Sequence, residues 1–472
     1  MLLPLRVTTI RAMSDSLEAH SLQPRPLERS LQRSLQQWLQ HLETLHPVGI
    51  EMGLGRVSQV AERMGLLSRS IAPCVVTVAG TNGKGSTLAM IDRIARAHGQ
   101  RVGTYTSPHL LRYNERVNLN GQEATDQQLM DGFSHVEQAR LQNPEISLTY
   151  FEAGTLCGLW CLANAELDIA VLEVGLGGRL DAVNIIDADV AIVTTIAQDH
   201  ANFLGTDLAQ IGREKAGIFR PGRPAVLGSQ TLPESVAECA QVLDAPAFCL
   251  GKQFQHHLSQ HHLSSHKPTQ WRWEGQHADG QRVVIDELPD PGLPIDNAAT
   301  ALQALALTGL RLEKNHVQEA LGTVQLAGRL QWVGSWCLDV GHNPHAADYV
   351  AKHLQPPPPG GRQWGLIGML NDKDIDGVIQ ALMTRISDWV CVTLPGERGC
   401  QASELSQRII AQGGRVHHCA DTPQAGVDWF AHVLTPNDRV LATGSFFTVA
   451  ALLARPLPTG AESLEGGGNE IR

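Results

Sequence analysis

A glycine-rich stretch between a predicted strand and a predicted helix constrains this chain more than any other feature. The apolar run at residues 75–79 leads into Gly80-Thr81-Asn82-Gly83-Lys84-Gly85-Ser86-Thr87, and apolar residues at helical spacing follow it. Glycines let backbone N–H groups curve round an anion, and the N-terminus of the following helix adds positive potential. Because Lys84 adds a mobile positive charge, the stretch predicts a site for a nucleoside triphosphate.

This loop differs from the usual phosphate-loop pattern at two positions. Val78 stands where that pattern has its first glycine, and Gly85 follows the lysine where Ser or Thr is usual. The loop is therefore a variant, and an ordinary P-loop ATPase is not its best match. The alternative is a glycine-rich turn that binds nothing, which leaves Lys84 beside a buried strand with little structural purpose.

Length and composition predict a globular chain of two domains. The chain has 472 residues, which exceeds the size of one typical domain. Its 48 acidic residues outnumber its 37 Lys and Arg residues and no basic stripe is present, so nucleic acid is not expected as a partner. No apolar run approaches the roughly 20 residues that span a bilayer, and residues 1–10 lack the features of a secretion signal. The nine cysteines are scattered without a Cys-x-x-Cys pair, which is typical of a cytoplasmic protein.

Polar and charged side chains follow further predicted strands in the first part of the chain. These are Ser107 after residues 102–106, Glu173 after residues 169–172, and His200 and Lys215 after residues 189–196. Ligands bind at the carboxyl edge of a parallel sheet, where such residues would meet. A buried carboxylate such as Glu173 is costly without a cation, and Mg²⁺ is the natural partner where ATP binds. Taken singly, Ser107 is more typical of a capped turn, and a lone His or Lys of a solvated position.

The second half of the chain predicts another α/β unit. The proline-rich stretch at 288–294 is typical of a linker, and helices are predicted over 297–307 and 313–321. Strands alternating with helices then follow, at residues 336–340, 365–370, 388–393, 415–419 and 439–443. This alternation predicts a smaller parallel sheet covered by helices.

Five histidines lie between residues 251 and 270. They are His256, His257, His261, His262 and His266. Spacings of four would place two imidazoles on one helical face around a metal ion. The Gln, Ser, Lys and Pro residues between them favour a solvated surface segment instead.

Taken together, these motifs resemble those of the folylpolyglutamate synthase family in the Mur ligase superfamily. Residues 76–87 and 172–186 are similar to the two signature sequences of that family, and six shorter runs fall in its order between about residues 28 and 455. The resemblance implies a P-loop-type parallel-sheet ATPase domain, residues 1–326, followed by a smaller Rossmann-like α/β domain, residues 327–472. Two positions depart from the family pattern, Ala327 where proline is usual and Gly341 where alanine is usual, and they affect a hinge or turn more than the chemistry.

The resemblance also implies a reaction. ATP would drive the addition of L-glutamate to dihydropteroate, giving dihydrofolate, and to tetrahydrofolate, giving γ-linked polyglutamates. The acceptor carboxylate would first take the γ-phosphoryl group, and the glutamate amine would then displace phosphate from the acyl phosphate. A carboxylate needs this step because its oxide is a poor leaving group, and phosphoryl transfer needs positioning and charge neutralisation. The family is commonly monomeric, so we expect a cytoplasmic monomer.

Site residues follow from the same resemblance. For the nucleotide they are the loop residues 80–86 with Asn297, Arg329 and Asp339. For two Mg²⁺ sites they are Ser107 and Glu173 at the first and His200 at the second. Lys215 matches a lysine that is carbamylated in the family, and a carbamate would present an anionic oxygen to the second site. For the pterin they are Met52, Gly53, Leu54, Tyr150, Phe151, Glu152, Leu180, Asp181 and Ala182, and for the incoming glutamate His342 and Ser445. The catalytic members of the set are Lys84, Glu173, His200 and Lys215.

Several alternatives stay open at this point. An enzyme that only extends folates with glutamate would carry the same motifs. A peptidoglycan Mur ligase uses the same chemistry, but it would need a domain of about 100 residues ahead of the loop, where only 79 residues stand. A nucleotide-binding switch or kinase explains the loop but not Glu173, His200 and Lys215 together with a second α/β unit, and a non-catalytic binding module would show no turnover.

Overall fold

Residues 33–46, 51–258 and 270–458 are described by the structure, a computed structural model, and they form three β-sheets. The strands of the eight-stranded sheet are β1 (Cys74–Ala79), β2 (Val102–Tyr105), β3 (Val117–Leu119), β4 (Gln122–Glu123), β5 (Ile169–Glu173), β6 (Val190–Val193), β7 (Ala225–Leu227) and β8 (Ala247–Cys249). The three-stranded sheet consists of β9 (Gln255–Leu258), β10 (Gln270–Gln276) and β11 (Arg282–Pro289). The six-stranded sheet consists of β12 (Gln331–Val333), β13 (Trp336–Leu338), β14 (Gln363–Ile367), β15 (Asp388–Val392), β16 (Arg415–Ala420) and β17 (Arg439–Thr443).

Helices cover these sheets. Those before β12 are α1 (Leu35–Glu43), α2 (Gly55–Arg63), α3 (Lys84–Ala97), α4 (Asp126–Arg140), α5 (Tyr150–Ala163), α6 (Ala201–Leu204), α7 (Leu208–Ala216), α8 (Glu234–Val242), α9 (Ile295–Leu307) and α10 (Lys314–Thr323). Those after β12 are α11 (Pro344–His353), α12 (Ile375–Leu382), α13 (Ala402–Ala411), α14 (Pro423–Phe430) and α15 (Phe446–Leu453). None of the helices in the described ranges is long and apolar enough to cross a membrane.

The eight-stranded sheet has the order β4-β3-β2-β5-β1-β6-β7-β8. Strands β2, β5, β1, β6, β7 and β8 run parallel, and β3 and β4 add an antiparallel edge. The central strands are buried along almost their whole length, because α3 and α9 cover one face, and α5 together with α7 and α8 covers the other. Continuous apolar runs are therefore needed in β1, β5 and β6, as the sequence predicts.

The small antiparallel sheet corrects the prediction of a linker. Strand β11 continues to Pro289 and α9 begins at Ile295, so the proline-rich stretch is a short turn inside one packed unit. Trp271 and Trp273 on β10 are buried in the same cluster as the apolar face of α9. Of the histidine-rich stretch, His256 lies on β9 and its Nε2 is 2.6 Å from Asp296 Oδ1. Its neighbour His257 is exposed, and the other three histidines lie outside the described residues.

The six-stranded sheet has the order β12-β13-β17-β14-β15-β16. All neighbours are parallel except β12 and β13. Insertion of β17 between β13 and β14 separates two strands that are successive in the parallel sheet, and ligands bind at such a switch in strand order. The α/β fold class with two parallel-sheet units is confirmed, and the division at residue 327 stays a prediction.

Candidate active site

The phosphate loop connects β1 to α3. Gly83 has φ +86°, and a Cβ atom there would lie 2.8 Å from Asn297 Nδ2. Asn297, at the start of α9, donates from Nδ2 to Ser86 Oγ over 2.8 Å. Lys84 Nζ donates to the carbonyl oxygens of Gly80 and Thr81 at 3.2 and 3.4 Å. The left-handed backbone at position 83 and the close approach of Asn297 therefore both require glycine there.

A buried carboxylate lies at the neighbouring strand end. Glu173, the last residue of β5, is 6% exposed, and Ser107 N donates to its Oε2 over 3.3 Å. Burial raises the pKa of Glu173, while the positive charges of Lys84 and Arg329 oppose this shift. The carboxylate thus lies among cationic side chains with spare acceptor capacity.

This donor set fits Mg²⁺. Carboxylate and hydroxyl oxygens are hard ligands, and Mg²⁺ is usually held by one or two carboxylates together with substrate phosphates. In the described ranges no group of three or more His, Cys, Asp or Glu side chains could hold a metal ion by itself. A metal at Glu173 would accordingly take most of its ligands from the nucleotide and water.

Two basic side chains lie near the loop, Lys215 buried and His200 half-buried, and desolvation is the largest influence on the pKa of each. Lys215 on α7 is 5% exposed, and its Nζ donates to Gly80 O over 3.0 Å. Burial lowers the pKa of Lys215 to about 7, with a further contribution from Lys84. Burial also lowers the pKa of His200 to about 4, against the charge of Asp199. A neutral imidazole is the form that binds a metal, so His200 is suited to that role.

The second unit contributes residues from the ends of β13 and β17. Asp339 accepts from the backbone N–H groups of Leu330 and Gly341 at 2.9 and 2.7 Å. The Arg329 guanidinium lies 5.3 Å from the centre of the Phe446 ring. Burial lowers the pKa of Arg329, while the charges of Asp339 and Glu173 oppose this shift. Arg329 therefore adds positive charge near both Asp339 and Glu173.

An ion-pair bridge joins the two units beside these groups. Asp199 accepts from Lys373 Nζ at 2.5 Å, and its other oxygen is 3.2 Å from His342 Nε2. The side chains of Asp199 and Lys373 are only 8% and 6% exposed. The sequence analysis assigns no role to either residue, although both lie in runs that match the family. Their signal is position, because each follows a predicted strand of its own sheet.

The three pterin-matched segments converge on the loop after β5. A Cβ atom at Gly177 would lie 3.3 Å from Met52 Cε, and the Phe151 ring approaches Gly175 in the same way. Asp181 accepts N–H bonds from Gly175, Leu176 and Val183, at 3.1, 2.8 and 2.9 Å. Burial raises the pKa of Asp181 to about 6, although these hydrogen bonds oppose the shift. These contacts give the 175–183 loop a fixed shape.

Glu152 and Ser445 have local structural partners as well. Glu152 closes a capping box with Thr149 at the start of α5, and Arg56 Nη2 donates to its Oε1 over 3.1 Å. Ser445 caps α15, with Oγ accepting from Phe447 N at 3.1 Å. Both side chains therefore have structural roles at helix N-termini, beside the binding roles that the resemblance implies.

Comparison with known proteins gives the same assignment for most of the chain. The family described as the Mur ligase middle domain matches residues 78–228, and the family described as the Mur ligase glutamate ligase domain matches residues 328–446. The dihydrofolate synthase/folylpolyglutamate synthase of Escherichia coli K12 is 43% identical over 424 residues, which cover 89% of this chain and 94% of that protein.

Solved structures are similar over the same extent. The structure of Escherichia coli FolC in complex with DHPP and ADP has a TM-score of 0.82 and 42% identity, covering 90% of this chain and 97% of that one. A bifunctional folylpolyglutamate synthase/dihydrofolate synthase with Mn, AMPPNP and L-glutamate bound has a TM-score of 0.80 and 42% identity, with 90% and 98% covered. The chain therefore belongs to the dihydrofolate synthase/folylpolyglutamate synthase family of Mur ligases.

Proposed function

We propose that this chain is an ATP-dependent ligase that joins L-glutamate to dihydropteroate and to tetrahydrofolate, the second through γ-linked amides. The observation that carries the proposal is the buried Glu173 carboxylate among Lys84, Ser107 and Arg329, at the meeting point of the phosphate loop and the pterin-matched segments. Relatives with DHPP and ADP, or with Mn, AMPPNP and L-glutamate, support the same set of substrates.

The first step is phosphoryl transfer to the pterin-linked carboxylate. A carboxylate oxygen attacks the γ-phosphorus of ATP, the bond to the β,γ-bridging oxygen breaks, and ADP leaves with an acyl phosphate in place. Lys84 and the loop amides hold the phosphates, and Asn297, Arg329 and Asp339 hold the rest of the nucleotide. Positioning and charge neutralisation supply most of the catalysis in such a transfer.

Two metal positions are part of the proposal. Ser107 and Glu173 would hold one Mg²⁺, and His200 would hold a second, together with a carbamate oxygen on Lys215. Bound Mg²⁺ neutralises phosphate charge. Lys215 is suited to carbamylation because a buried amine whose pKa is about 7 is about half unprotonated near neutral pH, whereas an ordinary lysine is almost fully protonated there.

The second step forms the amide. The glutamate nitrogen attacks the acyl carbon, phosphate leaves, and the nitrogen loses a proton. His342 and Ser445 orient the incoming glutamate from the second unit. Met52, Phe151 and Asp181, with their neighbours in sequence, hold the pterin against the loop after β5.

Phosphate release from ATP with Mg²⁺ and L-glutamate tests this function. The rate is compared with dihydropteroate, with tetrahydrofolate and with no pterin. We expect turnover with both pterins and none without. Turnover with tetrahydrofolate alone would identify a folylpolyglutamate synthase, and release that ignores both pterin and glutamate would contradict the ligase assignment.

A further inference from the structure

Asn343 belongs to the His342-Asn343-Pro344-His345 run, yet the proposed function gives it no role. It is 2% exposed and is the N-cap of α11, where its Oδ1 accepts from Ala346 N over 3.0 Å. Asparagine is a good N-cap, but Ser, Thr and Asp serve there equally well. Capping alone therefore does not use the amide nitrogen of this side chain.

That nitrogen reaches the phosphate loop of the other unit. Asn343 Nδ2 donates to Asn82 Oδ1 over 2.9 Å, and Asn82 Nδ2 donates back to Asn343 Oδ1 over 3.1 Å. The two residues are 261 positions apart in the chain. Because both amides donate and accept, the pair fixes their relative position in distance and orientation.

The backbone of Asn82 is hydrogen-bonded to the residues that follow β6. Its N–H donates to Thr195 Oγ1 over 3.0 Å, and its carbonyl accepts from Thr194 Oγ1 over 2.7 Å. The side chain of Asn82 is directed to the second unit, where its Nδ2 also lies 3.1 Å from His345 Nδ1. A movement of the Asn82 side chain on binding a nucleotide would therefore reach Asn343 directly.

On the other side, Asn343 is continuous with the residues proposed to bind glutamate. His342 precedes it, and the carbonyl of Gly341 accepts from Gly444 N and Thr443 Oγ1 at 3.1 and 3.2 Å. Ser445 follows directly after that contact. A shift of Asn343 therefore moves both His342 and the end of β17.

We propose that the Asn82–Asn343 amide pair couples occupation of the phosphate loop to the geometry of the amino-acid subsite, with Asn343 as the positioning residue. The proposal rests on the proposed function, since it needs a nucleotide at the loop and an amino acid beside His342. A nucleotide that orders the Asn82 side chain also orders Asn343, so less conformational entropy is lost when the amino acid binds. Such coupling is reciprocal. The factor by which the nucleotide raises the affinity for L-glutamate, typically about 5- to 150-fold, is also the factor by which L-glutamate raises the affinity for the nucleotide.

Two variants separate this role from capping. Asn343→Ser keeps an N-cap oxygen but is too short to pair with Asn82, whereas Asn343→Ala loses both. Thr422 is the matched control, because it caps α14, accepts from Ala425 N over 3.1 Å and is likewise followed by proline. Thr422→Ala removes a cap of the same kind away from the site.

The experiment measures the Kd of a non-hydrolysable ATP analogue with Mg²⁺ by calorimetry, with and without saturating L-glutamate, on the full chain. In the wild type and in Thr422→Ala, we expect the Kd of the analogue to be at least about 5-fold lower with glutamate than without it. In Asn343→Ser the Kd should be the same with and without glutamate, and the melting temperature should equal that of the wild type. In Asn343→Ala the two Kd values should likewise be equal, and the melting temperature should be lower.

The proposal would be overturned if glutamate lowered the Kd of the analogue as much in Asn343→Ser as in the wild type. It would also be overturned if glutamate did not change the Kd in the wild type. Failure of the proposed function would be seen separately. In that case the wild type would release no phosphate in response to pterin and glutamate, whatever the ratio of Kd values.

Discussion

Lys215 Nζ donates to the carbonyl oxygen of Gly80 over 3.0 Å, which joins α7 to the first residue of the phosphate loop. Among the described residues this carbonyl is the one hydrogen-bond acceptor of the amine, and Lys215 is buried. Burial and the charge of Lys84 together lower the pKa of Lys215 to about 7. The unprotonated amine is the form that adds carbon dioxide, so this contact holds a reactive nitrogen at the loop.

The first prediction is a carbamate on Lys215. With ¹³C-bicarbonate, the wild type should show a carbamate carbon signal that increases as the pH rises through about 7. Lys215→Arg keeps a positive charge but cannot form the carbamate, and it should lose the signal and about 10- to 100-fold of the activity, as when a metal site loses a supporting group. Absence of the signal in the wild type, or full activity of Lys215→Arg, would contradict the prediction.

The second prediction concerns two glycines with left-handed backbone. Gly83 and Gly99 stand at either end of α3 with φ of +86° and +79°. A Cβ atom at Gly83 would meet the Asn297 amide, which is held by Ser86, whereas a Cβ atom at Gly99 has no other heavy atom within 4 Å. Both alanine variants should lose about 1 kcal/mol of unfolding free energy from backbone strain.

Only Gly83→Ala should also weaken nucleotide binding. The measurement is the Kd for ADP with Mg²⁺ alongside the unfolding free energy of each variant. Equal effects of the two substitutions on the Kd for ADP would show that the close approach at Gly83 is unimportant.

The third prediction tests the charge on Glu173. Glu173→Gln keeps the shape of the side chain but removes its negative charge, so kcat should fall by about 10²-fold or more, as on removal of one group that stabilises a charged transition state. The melting temperature without metal should not fall, because a buried carboxylate is costly to keep ionised. Glu404→Gln, at a site paired with Arg408 on α13, is the matched control. A wild-type requirement for Mg²⁺ in Glu173→Gln would refute the metal assignment.

Sequence patterns predict the strands that are buried on both faces, and they fail where burial is one-sided or polar. Strands β1, β5 and β6, and β13, β14, β15 and β17 of the six-stranded sheet, are mostly apolar runs, so their positions are predicted to within a few residues. Strands β3 and β4 have only three and two residues at a sheet edge and give no such run. The sequence analysis predicts no helix over α4, whose buried face includes Ser134, Glu137 and Arg140.

Some residues of the candidate site can likewise be predicted from the sequence, and others cannot. Glu173 and His200 are predictable because Glu173 ends β5 and His200 lies in the segment that follows β6, so both belong to the carboxyl edge of the parallel sheet. Asp199, Asn343 and Lys373 acquire their roles from contacts across the two units, over 143 to 261 positions of the chain. No local pattern carries that information, since it depends on how the two sheets face each other.

The fourth prediction is that Asp388, at the start of a strand in the six-stranded sheet, stabilises the fold in a pH-dependent way. Asp388 begins β15, and its side chain is 6% exposed. Burial alone would raise the pKa of Asp388, but hydrogen bonds from Arg415, Ser387 and His417 outweigh it and lower the pKa to about 2. The folded state thus binds the proton less tightly than the unfolded chain, in which an aspartate has a pKa of about 3.9.

The contribution of this carboxylate to stability is therefore fully present above about pH 4 and is lost as the pH falls through about 2. Asp388→Asn should melt below the wild type at neutral pH, and the difference in melting temperature should shrink between about pH 4 and 2. Tryptophan fluorescence is a suitable probe, because Trp389 is adjacent and buried. Asp428→Asn, which removes an exposed partner of Arg455, should show little difference at any pH. A gap between Asp388→Asn and the wild type that stays constant down to pH 2 would mean that the carboxylate charge is not the source of the stability.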